Sequence, residues 1–416
     1  MRRLKILISA YYCSPYQGGE SAVGWQVASH LAQRHDVTVI CGDLSGGSPT
    51  GKDIGRARAE GIIPPGLEIH HLQADPFTQK IHDLHALPGL WFLYYQAYRR
   101  WQAQALQEAH RLHAQQPFDL VHQLTVIGYR EPGYLWQLGI PFFWGPINGA
   151  AAMPLPFIST FGLMGRYRHL TRNLINAVQM RTSLRCRAAA STASQIWAVT
   201  REDQQMVEEI WGYPAEQMIE TGATPDPEAA VRTRTPAEPL RLVWCGLIEA
   251  RKALHLAIAS LAGLENVELH VIGDGPENPR CLALAEASKC SVVWHGRVDH
   301  AEVRRLMRDG HALFHSSVKE GTPHVVLEAM SSGMPVLCHD ACGMGTAVDT
   351  SSGLKVPLVD PATSTAGFRD AVTRLRDEPA LLPTLSTGAI DRSRQLTWEA
   401  LIDRLDHAYR QALQPS

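Results

Sequence analysis

At 416 residues the chain is long enough for two or three domains of roughly 150 residues each. With 45% hydrophobic residues it can bury substantial cores, which excludes a disordered chain and a small disulfide-stapled scaffold. Its 39 basic and 41 acidic side chains leave a net charge of −2, which excludes a dedicated nucleic-acid binder and an acidic solvating tail.

The chain opens Met1-Arg2-Arg3-Leu4-Lys5 and runs into a short apolar stretch that ends at Tyr11, Tyr12 and Gln17. That stretch is better read as a first buried strand than as a signal peptide. Strands are predicted at Leu4–Ala10, Val37–Cys41, Leu67–Leu72, Asp119–His122, Ile140–Trp144 and Ile196–Val199, with a long helix over Leu90–Gln115. Three prolines and no apolar periodicity mark a linker near 224–238. The pattern then restarts, with strands at Leu240–Cys245, Val267–Ile272, Val292–Trp294, Ala312–His315, Pro335–Cys338 and Leu354–Val356 and a closing helix at Trp398–Leu413. Short apolar runs alternating with helix-length segments predict an α/β fold: two doubly wound, parallel-sheet, Rossmann-like domains facing across a cleft. The expected divisions are 1–225, a linker at 226–239, a second domain at 240–395, and a helix at 396–416 that returns to the first domain. Eight scattered cysteines without a C-x-x-C pair fit a reduced, cytoplasmic protein, and no run of about 18 apolar residues spans a membrane.

Lys319-Glu320-Gly321-Thr322-Pro323-His324-Val325-Val326-Leu327-Glu328 follows a predicted strand, and Pro323 suits a first helical turn. Free amides at Gly321–His324 would present the positive end of a helix to a phosphate. Glu320 and Glu328, eight residues apart, would be about 12 Å apart along a helix, roughly the span from the sugar to the ribose of a nucleotide-sugar. A solvated helix start with ordinary glutamates satisfies the spacing equally well. Lys252, in the turn after the Leu240–Cys245 strand, is placed to reach a diphosphate as a point charge.

Together these residues resemble family 4 of the retaining glycosyltransferases, which have the GT-B fold. The resemblance covers nearly the whole chain. It includes Gly18-Gly19 after the first strand, Gly24-Trp25 in the next helix, the D-x-x-H element Asp119–His122, Gly273-Asp274-Gly275-Pro276, Gly296-Arg297, the paired glutamates, and Trp398-Glu399 before the last helix. The resemblance implies that Glu320 holds hydroxyls of the transferred sugar and Glu328 those of the ribose. Lys252 and the amides of Gly321, Thr322, Pro323, His324 and Val325 would meet the diphosphate. Gly18, Gly19 and Gly246 would allow close backbone approach, the base would sit near Arg297, and His122 would face the reacting sugar. A strand-end histidine is otherwise a satisfied core residue.

Two positions depart from the family pattern. Leu247 follows Gly246 where an arginine is usual, so Arg251 is the candidate replacement charge. Leu124 stands where a second histidine is usual. The expected activity is retaining transfer of a hexose-type sugar from a nucleotide-sugar to a glycan or lipid-linked acceptor, independent of metal and without a bound cofactor. A GT-B-type isomerase or phosphorylase, or a binding protein without turnover, is the rival reading, and the two leucines sustain the last of these.

Gly46-Gly47-Ser48-Pro49-Thr50-Gly51-Lys52-Asp53 nearly spells a phosphate loop, but Asp53 replaces the metal-holding hydroxyl, so a flexible surface loop is expected. From Pro132 to Arg201 there is no acidic residue; seven arginines give that stretch +7 and leave −9 for the rest. Apolar residues interleave with them across 163–187. Peripheral contact with an anionic membrane surface, an anionic acceptor, or a plain solvated face are the three readings.

Overall fold

The computed structural model describes residues 2–45 and 49–414. Seven strands build a first sheet: β1 (Lys5–Ala10), β2 (Asp36–Asp43), β3 (Leu67–Gln73), β4 (Leu120–Thr125), β5 (Phe142–Ile147), β6 (Ala193–Ala198) and β7 (Glu216–Gln217). Six build a second: β8 (Leu240–Cys245), β9 (Val267–Ile272), β10 (Val292–Gly296), β11 (Ala312–His315), β12 (Val336–His339) and β13 (Gly353–Val356). All the pairings are parallel, in the orders β3-β2-β1-β4-β5-β6-β7 and β10-β9-β8-β11-β12-β13. The central strands are buried on both faces, which is why they read as apolar runs rather than as alternation.

The strand order reverses between β1 and β4 in the first sheet and between β8 and β11 in the second. Helices leave to opposite faces at such a point and open a crevice at the carboxyl ends of the strands. The Gly18-Gly19 loop follows β1, and the 246–252 and 316–323 loops follow β8 and β11. The predicted site segments therefore sit at the two reversals.

The last helix, Trp398–Ala412, packs Leu401, Ile402, Leu405 and Tyr409 into the apolar cluster beneath the first sheet, beside Trp25 and Phe143. The chain thus crosses between domains twice. The crossings meet: Ala223 N–H donates to Leu396 O at 2.7 Å, and a Cβ at Gly222 would lie 2.6 Å from the Trp398 ring. The predicted linker is strapped to the second domain, with Arg232 donating from its backbone to Ser386 Oγ (2.7 Å) and from its guanidinium to Arg308 O (2.6 Å).

His122, expected at the cleft, lies in the core of the first domain. Its Nε2 is 2.7 Å from Gly145 O and its Nδ1 is 2.6 Å from the Tyr409 hydroxyl. A carbonyl only accepts, so Nε2 carries the proton and Nδ1 accepts from tyrosine, which fixes one neutral tautomer. Burial pushes its pKa down to about 4. Both ring nitrogens are engaged, so the structural reading of this residue holds and a role at the sugar does not. Its folded pKa lies below the unfolded value of about 6.5, so its contribution to stability is complete above pH 6.5 and is lost as the pH falls through 4. His122→Ala is accordingly expected to cost about 2–4 kcal/mol near pH 7.5. Thermal melts should show the gap to the parent protein narrowing at pH 4.5.

Candidate active site

The glycine loop of the first domain is open. Gly18 and Gly19 are exposed, a Cβ on either would touch nothing within 4 Å, and Gly19 adopts φ +61° as the Glu20–Ala32 helix begins. That leaves backbone that another molecule can approach closely. The loop is anchored from below, where Ser14 Oγ and Gln17 Nε2 donate to Asp53 Oδ2 at 2.6 and 2.5 Å. Asp53 lies in a helix, Pro49–Ala59, rather than in the flexible loop expected of the false phosphate motif; Gly46, Gly47 and Ser48 lie outside the described residues. The carboxylate that spoils that motif serves as the anchor of the real glycine loop.

In the second domain three strand-end turns are knitted together. Ile248 N–H donates to Asp274 O (2.9 Å) and Gly273 N–H to Gly296 O (2.8 Å). Cβ atoms at Gly273 and Gly275 would lie 1.9 Å from Gly246 O and 2.3 Å from Ile248 O, so those glycines are required by backbone contact. Between the turns is a pocket of about 240 Å³ lined by Gly246, Leu247, Asp274, Arg297 and Val298. Leu247, standing in for the usual arginine, is 45% exposed on its rim.

Lys252 ends a short helical turn, Ala250–Lys252, and lies over Gly246, its Nζ 3.9 Å from where a Cβ would be. The ammonium forms an ion pair with Glu320 Oε1, while Arg251 reaches Glu320 Oε2 at 2.8 Å and Glu249 Oε1 at 2.7 Å. Burial favours the protonated form of Glu320, but Lys252 first and Arg251 next hold the carboxyl below its ordinary range. Glu320 is therefore the counter-ion of both cations. Arg251 is engaged in that network through Glu320 and Glu249.

The helix after this loop is His324–Ser331, so Glu320 lies four residues before it, and the 12 Å helical spacing between the glutamates does not apply. Only Glu328 is on the helix. It lines a cleft of about 970 Å³ with His324, Arg304 and Trp398. The amide run is also shorter than expected. Thr322 N–H donates to Glu220 Oε1 at 2.7 Å, Pro323 has no N–H, and the first-turn amides of His324 and Val325 have no partner within the helix. A Cβ at Gly321 would lie 2.3 Å from Glu220 Oε1 and 2.8 Å from Asn148 Nδ2, so this glycine lets two first-domain side chains close on the loop.

Sequence reasoning missed three residues at this junction. Glu220 is buried, and burial raises its pKa. Glu20, in the first turn after Gly19, is pushed up to about 7 by burial, with the Glu220 charge adding to the effect. Lys319 donates across the cleft to Ala151 O. Glu20 adjoins a motif and was the findable one; Glu220 and Lys319 depend on how the two domains meet. Glu220→Ala should speed hydrogen exchange at Thr322 and move the Glu20 pKa downward, still above the usual carboxyl value because burial is the larger cause. Unchanged protection at Thr322 would show that another group holds that amide.

Two parallel-sheet domains with crevices at their strand-order reversals, a glycine loop on one side and a cation pair with a helix start on the other define the GT-B fold. Residues 239–378 match the family model described as glycosyl transferases group 1. The match lies in the second domain and covers less than half of the chain. A D-inositol 3-phosphate glycosyltransferase of Thermomonospora curvata is 40% identical over 86 residues, covering 20% of this chain and 19% of that protein. The enzyme of the same description from Thermobispora bispora is 25% identical over 386 residues, covering 85% and 83%. Among solved structures, sucrose-phosphate synthase from Thermosynechococcus elongatus superposes with TM-score 0.63 at 18% identity over 98% of this chain and 99% of that one. Anabaena HepE in complex with UDP and glucose does so with TM-score 0.57 at 14% identity over 98% and 100%.

Proposed function

We propose that the chain moves a hexose-type sugar from a nucleotide-sugar to a glycan or lipid-linked acceptor, with retention of anomeric configuration. The observation that carries this reading is the Lys252–Glu320–Arg251 network at the second reversal, beside the opening of the His324–Ser331 helix. A diphosphate between Lys252 and the His324 and Val325 amides would have its leaving charge met by preorganised donors. The Gly246–Arg297 pocket would take the base, Glu328 the ribose hydroxyls and Glu320 hydroxyls of the sugar. The Gly18-Gly19 loop would close from the other side. As the bond from sugar carbon to phosphate oxygen breaks, that oxygen accepts the acceptor hydroxyl's proton while the acceptor oxygen bonds to the same face of the carbon. No side-chain base is required, which agrees with His122 being occupied elsewhere. HepE, a chain of similar fold in complex with UDP and glucose, supports a nucleotide-sugar as the donor.

A thermal-shift screen with UDP, GDP, ADP and CMP tests the donor site; one nucleotide near 100 times its Kd should add about 2.7 kcal/mol. With that donor class, Lys252→Ala should lower kcat by about 100- to 1,000-fold, and Glu328→Ala should act mainly on donor KM. Identical small effects of the two changes would defeat the two-ended donor arrangement.

A membrane surface is the proposed setting. Among the described residues no helix is long and apolar enough to cross a bilayer. The Leu163–Thr182 helix nevertheless turns Leu163 (84% exposed), Met164 (79%), Tyr167, Leu170, Leu174 and Val178 to solvent, and Trp91 (60%) and Phe92 are exposed as well. Arginines border the stripe, which matches an anionic interface. Vesicles containing phosphatidylglycerol should retain the protein at low salt and release it at high salt. Leu163→Glu with Leu174→Glu should abolish retention, and equal retention on phosphatidylcholine would refute the electrostatic part.

A further inference from the structure

The chain passes from one domain to the other beside Glu220. Met218 packs into an apolar cluster of the first sheet and Ile219 into one of the second. At this pivot Glu220 is 8% exposed, and its Oε1 accepts from Thr322 N–H at 2.7 Å. Its Oε2 is buried as well and has no hydrogen-bond partner among the described residues. A buried carboxyl with one oxygen unmatched is costly. A smaller neutral acceptor would hold one amide at lower cost, so a tie between loops does not account for a glutamate here.

Thr322 lies on the loop that carries Glu320 and opens the His324–Ser331 helix, whose His324 and Val325 amides have no partner within the helix. The positive end of a helix attracts a carboxylate for the same reason that it attracts a phosphate. Glu220 is thus an anion already seated two residues before those free amides. The loop has no room to retreat from it, because a Cβ at Gly343 would lie 2.2 Å from Gly321 O and 2.6 Å from Thr322 N. Release of the Thr322 amide therefore requires Glu220 to leave, and its place at the crossing allows that. The domains keep other ties when it does: Lys319 donates to Ala151 O, Arg280 donates to Thr160 O at 2.9 Å, and Phe157 packs in one apolar cluster with Val318.

We propose that Glu220 is an internal anion that occupies the donor loop of the nucleotide-free chain and has to yield the Thr322 N–H to the donor diphosphate. The inference rests on the glycosyl-transfer reading and adds a regulation to its donor site. The donor gives up part of its binding energy to break the Glu220–Thr322 bond, and breaking it frees the pivot between the domains. Donor binding and domain movement are then linked, and the linkage is reciprocal: an acceptor that draws Glu220 off the loop raises donor affinity.

The test titrates the full-length parent, Glu220→Ala and Glu220→Gln with UDP, GDP and ADP and with the corresponding nucleosides. Glu220→Ala should lower Tm in the absence of ligand and yet bind the preferred diphosphate about tenfold more tightly, the scale of one charge-assisted hydrogen bond that no longer has to be broken. Glu220→Gln, which keeps an acceptor oxygen and drops the charge, should gain about threefold. The nucleoside should bind all three proteins alike, because it brings no phosphate to compete. A glutamate with a purely structural role would lose stability and affinity together. Equal or weaker diphosphate binding by Glu220→Ala would overturn the proposal. So would an equal gain for the nucleoside, which would mark a general loosening of the cleft. Should Glu220→Ala not fold, Glu220→Gln decides by the same sign. If no diphosphate binds any of the three proteins, the donor reading falls and the proposal with it, whereas binding without the gain defeats the proposal alone.

Discussion

The carboxylate of Glu320 sets the geometry of the second-domain half of the site. Two cations from one short turn, Arg251 and Lys252, would repel each other and swing into solvent without it. Sharing a single half-buried counter-ion aims both toward the cleft and ties the β8 turn to the β11 loop. Further bonds reinforce the tie: Ser316 Oγ donates to Lys252 O at 3.0 Å, and Val318 N–H donates to Arg251 O at 2.9 Å. The strand reversal makes a crevice, and this ion-pair network gives it a positive edge.

The first domain meets that edge through polar contacts and one apolar patch. Met153, Phe157, Ile158 and Phe161 of the first domain pack with Ala253, Leu256 and Val318 of the second. Beside this patch, Glu220 bonds the Thr322 amide and Lys319 bonds Ala151 O. The junction therefore runs through the same 318–322 loop that carries Glu320. Any change in how the domains meet is felt directly at the donor cations.

Much of the fold was legible in the sequence because central parallel strands are continuous apolar runs. Leu240–Cys245, Val267–Ile272 and Ala312–His315 were read with the bounds they have. β5 was cut short at Trp144 because Gly145-Pro146 reads as a break, whereas the strand continues to Ile147. β7, two residues long, offers no pattern to read. At the site, local segments were found and pairings were not. Lys252, Glu320 and Glu328 stand in recognisable motifs, but the capture of Thr322 by Glu220 and of His122 by Tyr409 joins residues about 100 and 287 positions apart. Periodicity carries no information about such pairs. The helical spacing argument for the glutamates failed because the helix starts only after Pro323.

The returning helix has a consequence for how the protein is made. Leu401, Ile402, Leu405 and Tyr409 complete the core of the first domain, yet they are translated after the entire second domain. The second sheet's clusters draw only on residues 219–396. On the ribosome the later domain can therefore close its core while the earlier one waits with an apolar flank open. The first domain becomes complete only when the helix beginning at Trp398 emerges, and until then that flank is the surface a chaperone would have to cover.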